Sequence, residues 1–287
     1  MEKIHDPALT EELKVLLNLK ECDNAIDATM DGGGHAQMML GLIGEKGTLL
    51  GIDQDEAMIQ RMSRIKNLLP ALGNFRNIDL LARQKDFGKA RAILFDLGMS
   101  RWHLEQSGRG FSFGKPKEPL LMNLGTDTQS AAEIVNQSSE RELTRIFREF
   151  GEEPRAALVA KKVVLARKNG KILSVGDFLG ALGIEDIRGK ERLLARIFQA
   201  LRIAVNDELD ALLEGLRKGF EILLLGGRIA VISYHSLEDR IVKNFFKKLS
   251  AEGRAKILTK KPIVAGDEEI KRNPSARSAK LRVLEKT

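Results

Sequence analysis

The sequence predicts an α/β fold of the Rossmann-like type, built on a mostly parallel sheet. Three observations carry that expectation. Ala25 to Asp53 reads as strand, glycine turn, helix and a second strand closed by an acid. Two further apolar runs, Arg91 to Gly98 and Arg228 to Tyr234, break at polar or glycine residues as buried strands do. Stretches of helical period separate these runs, which is the alternation of an α/β protein.

The first unit also limits what it can bind. Its turn is Asp31, Gly32, Gly33, Gly34, His35. Glycines let the backbone approach a ligand and take positive φ, and a carboxylate such as Asp53 can accept both hydroxyls of a ribose. A nucleoside-containing cofactor is the natural occupant. A dinucleotide would place its diphosphate on the amides at the helix start, where the acids Asp27 and Asp31 repel it. The sulfonium and ammonium of S-adenosylmethionine are cationic, so the same acids favour that cofactor over NAD. The blander reading, a turn that only joins strand to helix, leaves Asp53 without a purpose.

Composition narrows the classes further. The chain has 287 residues, 43% of them apolar and 30% charged, enough for one large domain or a domain carrying an insertion. No apolar run reaches transmembrane length and the first residues lack the apolar block of a signal peptide, so a cytoplasmic protein with no membrane partner is expected. A single cysteine, Cys22, rules out an internal disulfide, and the 4 histidines show no metal-ligand spacing, so no metal is implied. The formal net charge is +7 and the isoelectric point near 9.4, which suits a polyanionic partner without requiring one. The basic residues crowd the end of the chain: Arg254, Lys256, Lys260, Lys261, Lys271, Arg272, Arg277, Lys280, Arg282 and Lys286 stand against Asp267, Glu268, Glu269 and Glu285. That segment reads either as a phosphate-contacting surface or as a plain solvated face.

Taken in order, residues 8–19 space leucines for a leading helix. After Asp53, the pair Asp55-Glu56 opens a helix that ends before Pro70, and Phe75 and Asp79 follow in a short strand or loop. The strand from Arg91 breaks at Asp96 and Gly98, which places Asp96 in the same crevice as Gly33 and Asp53. Gly108 to Gly125 is glycine- and proline-rich and reads as a long functional loop. Ser130 to Arg167 and Arg188 to Val205 are helical, so residues 116–206 form an inserted helical domain, and residues 1–115 and 207–287 form the main domain. A helix from Asn206 through Leu225 precedes the strand Arg228–Tyr234. His235 to Arg240 opens another helix, and strands near Ala255–Lys261 and Ala279–Glu285 close the sheet, for seven in all.

Several runs together carry a resemblance: His5 and Pro7; Asp27 with Gly32-Gly-Gly-His35; Gly51-Ile-Asp-Gln-Asp55; Asn74-Phe75; Asp96-Leu-Gly98; Arg109-Gly-Phe-Ser-Phe113; Phe198 to Leu209; His235-Ser-Leu-Glu-Asp-Arg240; and Asn273-Pro274 with Ala276 to Arg282. With them the sequence resembles the RsmH (MraW) family of bacterial small-subunit rRNA (cytosine-N4)-methyltransferases over nearly its whole length. The resemblance implies a class I S-adenosylmethionine-dependent methyltransferase fold with a helical, substrate-recognising insertion. It implies a cytidine of the 16S rRNA decoding region as acceptor and small-subunit rRNA as partner; a homodimer is left open. Carried over by position, Gly33, Gly34 and His35 lie at the methionine end of the cofactor, Asp53 at the ribose, Phe75 beside the adenine and Asp96 in the crevice. A further cofactor position, glutamine in the family, is His103 here. The chain also departs from the family at Pro119-Leu-Leu-Met-Asn-Leu-Gly125, where two acids and an arginine are missing, and at Ser100-Arg-Trp-His-Leu-Glu105.

An amine whose lone pair is delocalised into a cytosine ring must be held by its hydrogens and aimed at the methyl group. Asp96 is the candidate for that task or for orienting the cofactor. His235 either lines the acceptor pocket and relays a proton or, with Ser236, caps the following helix. Trp102, Phe111 and Phe113 either stack on a base or pin their loop to the core, and Arg202 and Asn206 are as consistent with architecture as with substrate contact. Readings from other classes are an RNA-binding assembly factor with little catalysis, and a methyltransferase acting on DNA or a small molecule.

Overall fold

The computed structural model describes residues 7–99, 101–125, 128–184 and 186–287; His5 and Ser100 lie outside them. Two compact units emerge, Met1–Ser100 with Leu209–Thr287, and Arg101–Glu208. The chain enters the first through α1 (Thr10–Leu16), β1 (Asn24–Asp27), α2 (Gly34–Ile43) and β2 (Thr48–Asp53). There follow α3 (Glu56–Met62), β3 (Leu68–Leu72), α4 (Ile78–Gln84) and β4 (Ala90–Asp96). The second unit holds α5 (Arg101–Glu105), α6 (Ala131–Gln137), α7 (Glu140–Glu149), α8 (Ala156–Ala166), α9 (Val175–Ala181) and α10 (Glu191–Asn206). Then α11 (Glu208–Ile222) leads to β5 (Leu223–Ser233), α12 (Ser236–Ala251), β6 (Ala255–Ile257), β7 (Ile263–Val264), α13 (Asp267–Arg272) and β8 (Lys280–Lys286).

In the first unit the strands run β3-β2-β1-β4-β5-β8-β6, with β7 paired to β8. The first five are mutually parallel, and β8 is antiparallel to β5, β6 and β7. Apolar side chains alternate onto two cores. Ile93, Phe95, Ile229 and Val231 meet α4, α11 and α12, whereas Leu94, Ala230, Ile232 and Leu281 meet α1 and α2. With both faces covered, the central strands are apolar throughout, which is why their sequences show no polar alternation. The order reverses direction at β1, between β2 and β4, so the carboxyl ends of these strands border the switch-point crevice where α/β proteins bind ligands.

The expected seven strands are eight. β7 is two residues long, paired through Ile263↔Leu281, and too short to leave a period in the segment read as turns. β3 also escaped the sequence reading, because Pro70 within it reads as the end of a helix. Proline is tolerated there because β3 lies at the sheet edge with β2 as its neighbour. The preceding helix stops at Met62, and the helix expected to run through Leu225 gives way to β5 at Leu223. Among the described residues no helix is long and apolar enough to cross a membrane.

The inserted unit begins with α5, not at residue 116. The glycine-rich segment belongs to it because its backbone is tied to α9 and its flank: Leu120 N donates to Leu173 O, Val175 N to Glu118 O, and Pro119 bridges Ser174. Gly110, at φ 76°, fits beneath Pro119, whose carbonyl oxygen a Cβ would meet at 2.3 Å. The stretch read as helical over 130–167 holds three helices, each with its own local start or stop. Ser130 and Ser139 cap α6 and α7, and Gly151 and Glu152 break the chain before α8.

Asn206 resolves its two readings structurally. Buried, it accepts from Leu124 N at 2.8 Å and donates to Met122 O at 2.8 Å and Arg202 O at 2.9 Å, clamping the 122–124 backbone to the end of α10. Arg202 is held by Glu208 at 2.9 and 3.0 Å. Asn206→Ala removes three hydrogen bonds and strands buried backbone groups, so it should lower stability by about 2–4 kcal/mol. Thermal unfolding of the variant checks this; an unchanged midpoint would return Asn206 to the substrate-contact reading.

Candidate active site

The site is built on the turn after β1. Asp31 and Gly33 both take left-handed backbone, φ 44° and 79°, and Gly33 is the N-cap of α2 without any side-chain cap. The glycine requirement is set by neighbours as well as by φ: a Cβ on Gly33 would meet the Met62 side chain at 2.2 Å, and one on Gly34 would meet Pro7 at 3.0 Å. The first helical hydrogen bond is Gln37 N to Gly33 O and Gly33 N is given to Met30 O at 2.9 Å, so the amides of Gly34, His35 and Ala36 form the anion-binding edge of the helix start.

Asp53, at the end of β2, ties two turns together. Its Oδ2 accepts from Asp31 N at 2.7 Å and its Oδ1 from Asp55 N at 2.8 Å, while Asp55 caps α3. Two backbone amides thus fix the orientation of the carboxylate, and a carboxylate held in this way is the group that accepts the hydroxyls of a diol.

Behind the turn lies a buried polar cluster. Asp27 is fully buried; its Oδ1 accepts weakly from Thr29 N at 3.3 Å, and its Oδ2 has no partner among the described residues. Burial pushes its pKa up to about 7, against the opposing pull of His35 and the Thr29 amide. His35 Nε2 stands 3.3 Å from Asp96 Oδ2. Burial alone would depress the imidazole, but the bond to Asp96 and the charges of Asp96 and Asp27 outweigh it and hold His35 above its usual pKa. Asp96 closes β4: its amide donates to Thr29 Oγ1 at 2.7 Å, and Gly98 N reaches its Oδ1 at 3.4 Å.

Tyr234, which the sequence reading left without a role, completes the cluster. Its phenol hydrogen-bonds Asp96; burial, then the Asp96 charge, push it well above the usual phenol range, so it remains a donor. Its ring occupies the space a Cβ on Gly98 would need, 2.7 Å away. One tyrosine in an apolar strand end carries no motif of its own; the available signal was its place after β5, next to β4 in the sheet.

Phe75 packs edge-on against Phe95, centroids 5.7 Å apart, and against Gly215, with Asn74 capping the turn that presents it. His103 belongs to the inserted unit, buried edge-on between Trp102 and Phe111. Phe113 packs on Phe198, so Phe111 and Phe113 pin their loop. His235 is the N-cap of α12: Nδ1 accepts from Glu238 N at 3.4 Å and Nε2 lies 3.1 Å from Glu238 Oε1. Glu238 in turn accepts from the amides of Tyr234 and His235, at 2.8 and 3.2 Å. Of the alternatives at His235, the structure shows the cap. Asp239 grips the buried Arg282 at 2.6 and 3.1 Å.

A parallel sheet of this order, with an acid-lined glycine turn at its switch point and a carboxylate ending the second strand, defines a protein that binds a cationic nucleoside cofactor. Comparison with known sequences narrows that class. The model of the MraW methylase family matches residues 2–287, and the chain belongs to that family. Its relatives include proteins named ribosomal RNA small subunit methyltransferase H. The one from Dictyoglomus thermophilum is 45% identical over 294 residues, covering 100% of this chain and 98% of the relative. Those from Bacteroides fragilis and Thermomicrobium roseum are 40% and 39% identical, each covering 98% of this chain and 97% and 93% of the relative.

Asp53→Ala should weaken S-adenosylmethionine binding by about one to two decades, the cost of a charged hydrogen-bond partner, as read by calorimetry. Because the carboxylate also joins two turns, the thermal midpoint should fall as well; unchanged affinity would remove Asp53 from the pocket.

Asp27 predicts a pH dependence. Its folded pKa, about 7, lies well above the 3.8 of an ordinary aspartate, so the native state holds a proton the unfolded chain has released. That contribution is complete below the unfolded pKa and is lost as pH rises through about 7, a decline of up to roughly 4 kcal/mol. Asp27→Asn should flatten the stability profile between about pH 4 and 7; chemical denaturation at stepped pH that shows the same slope in both proteins would overturn the assignment.

Proposed function

We propose that this protein transfers a methyl group from S-adenosylmethionine to the N4 amine of a cytidine in the decoding region of 16S rRNA. The observation that carries the reading is the buried acid cluster behind the glycine turn, in a chain whose relatives bear the name of a small-subunit rRNA methyltransferase. The residues fit the cofactor. Asp27 Oδ2, buried and without a hydrogen-bond partner among the described residues, suits a nearby cationic group; the Asp53 carboxylate suits the ribose diol; and the amides of Gly34 and His35 suit the carboxylate of the methionine end, with Gly33 shaping the turn while its own amide is held by Met30 O. Phe75 supports the adenine, and His103 stands where the family has a glutamine. When bound, the cofactor supplies an electrophilic methyl group on a sulfonium.

The remaining work falls to the chain. Asp96 accepts a hydrogen of the acceptor amine and so turns the nitrogen lone pair toward the methyl group. His35 and Tyr234 hold the Asp96 carboxylate from two sides, which fixes its direction before substrate arrives. His235 acts through position: with Glu238 it locks the turn on which Tyr234 sits. The inserted unit, residues 101–208, recognises the RNA. The C-terminal basic segment adds phosphate contacts through the exposed cations Lys256, Lys260, Lys261, Arg272 and Arg277, which make no ion pair among the described residues, whereas Arg254, Lys271 and Arg282 are committed to acids.

Mass spectrometry of nucleosides from small subunits incubated with protein and labelled donor should show label in N4-methylcytidine. Asp96→Asn should keep the shape and lose the negatively charged acceptor, lowering turnover by about a hundredfold or more while RNA affinity stays near wild type. Label in another base would sink the reading, and absence of label with intact RNA binding would leave the assembly-factor alternative.

A further inference from the structure

The inserted unit carries a charge asymmetry that the cofactor site does not explain. From Arg155 to Gly176 there are six cations, Arg155, Lys161, Lys162, Arg167, Lys168 and Lys171, and not one acid. Two of the six are internal fasteners: Lys162 Nζ donates to Leu182 O at 2.7 Å, and Arg167 donates to Val135 O and Ser138 O at 2.8 and 2.7 Å. The other four are exposed and make no ion pair among the described residues. Lys161 shares the outward side of α8 with Leu158 and Leu165, which are 53% and 50% exposed, opposite the buried Ala156, Val159, Ala160 and Val163, while Lys168 follows in the turn after the helix, Lys171 lies just beyond that turn and Arg155 precedes the helix. At 100° per residue, Leu158, Lys161 and Leu165 fall on one face.

A merely solvated helix face looks different, and the neighbouring α7 shows how. Its Arg145 is held by Glu142 at 2.7 Å and Glu149 at 3.2 Å, a mixed face that neutralises itself. On α8 nothing neutralises the cations, and two half-exposed leucines lie among them. Unscreened positive charge with interleaved apolar surface matches a single-stranded nucleic acid, whose phosphates take the ammonium groups while sugars and base faces take the leucines. A membrane surface would need a broader apolar face than two leucines on eleven residues provide.

We propose that the outward face of α8, with Leu158, Lys161 and Leu165, together with the segment that follows it, with Lys168 and Lys171, is a docking surface for the phosphate backbone of the RNA substrate. It rests on the rRNA reading of the function and locates the contact within the inserted unit.

The test is the triple variant K161Q/K168Q/K171Q, beside K161R/K168R/K171R, which keeps the charge. Binding to small ribosomal subunits is measured from low to moderate salt. Three lost phosphate contacts should lower the slope of log affinity against log salt by about 2 units, and the arginine variant should retain the wild-type slope. The KM for subunits should rise with kcat, cofactor affinity and thermal midpoint unchanged. An unchanged slope and KM in the glutamine variant, with wild-type protein methylating subunits normally, would overturn the α8 surface and leave the proposed function standing. If wild-type protein methylates no rRNA, the function fails, and the binding slope still decides the surface. Phosphatidylglycerol vesicles serve as a second probe: loss of vesicle binding in the glutamine variant with the RNA slope intact would assign the face to a lipid surface and overturn the proposal.

Discussion

The first unit depends on one costly arrangement, the gathering of the buried Asp27, His35 and Asp96 with the part-buried Tyr234 where the carboxyl ends of β1, β4 and β5 meet the start of α2. Taking such groups out of water is expensive, and for Asp27 the desolvation outweighs every favourable interaction the chain supplies. A fold selected for stability alone would fill this volume with apolar side chains. Two apolar cores clamp the sheet from both faces and supply the excess needed to hold the cluster in place. Its geometry is over-determined: Thr29 binds the Asp96 amide, Gly98 makes room for the Tyr234 ring, and Glu238 fixes the Tyr234 amide. Rigidity of that kind is what the proposed transfer to an amine requires.

How much of this was legible in the sequence follows from which interactions are local. Strand, turn, helix and strand from Ala25 to Asp53 lie within one stretch, and each part has its own residue signature, so the turn and Asp53 were readable directly. Asp96 was readable through the rule that parallel strands present their carboxyl ends to the ligand. The partners of Asp96 were not, since Tyr234 and His35 reach it only once β4 lies between β1 and β5. β3 was missed for the converse reason: Pro70 is a local stop signal, and only the strand's position at the sheet edge makes it harmless. The boundary of the inserted unit shifted likewise, because hydrogen bonds to α9 and its flank decide where residues 108–125 belong.

Charge was the least legible feature. Net charge and the basic end of the chain pointed to a polyanion, but composition does not distinguish a free cation from a committed one. Arg282 is buried on Asp239, and Lys286 lies over the Phe220 ring, donating to two carbonyls at the end of α11 and start of β5, so these count toward stability. The acid-free run around α8 lay inside a stretch read only as helix, where the arithmetic of the whole chain hides it. Pairing, not number, decides which cations face a partner.

The departure at Leu121–Gly125 takes on a definite meaning in this light. The segment's backbone path is set by groups outside it: Arg109 donates to Asn123 O and Leu124 O, Asn206 clamps Met122 and Leu124, and Leu120 N pairs with Leu173 O. None of these contacts needs the side chains in which the chain differs from the family pattern. Leu121 is 37% exposed, and the side chain of Asn123 turns back onto Thr128. The substitutions therefore change what the segment displays while leaving its shape in place. A leucine, a neutral amide and a glycine stand where the family pattern has two acids and an arginine, so the segment displays no charge of either sign. The cations of the inserted unit that make no ion pair among the described residues lie elsewhere, those on and just after the outward face of α8 among them.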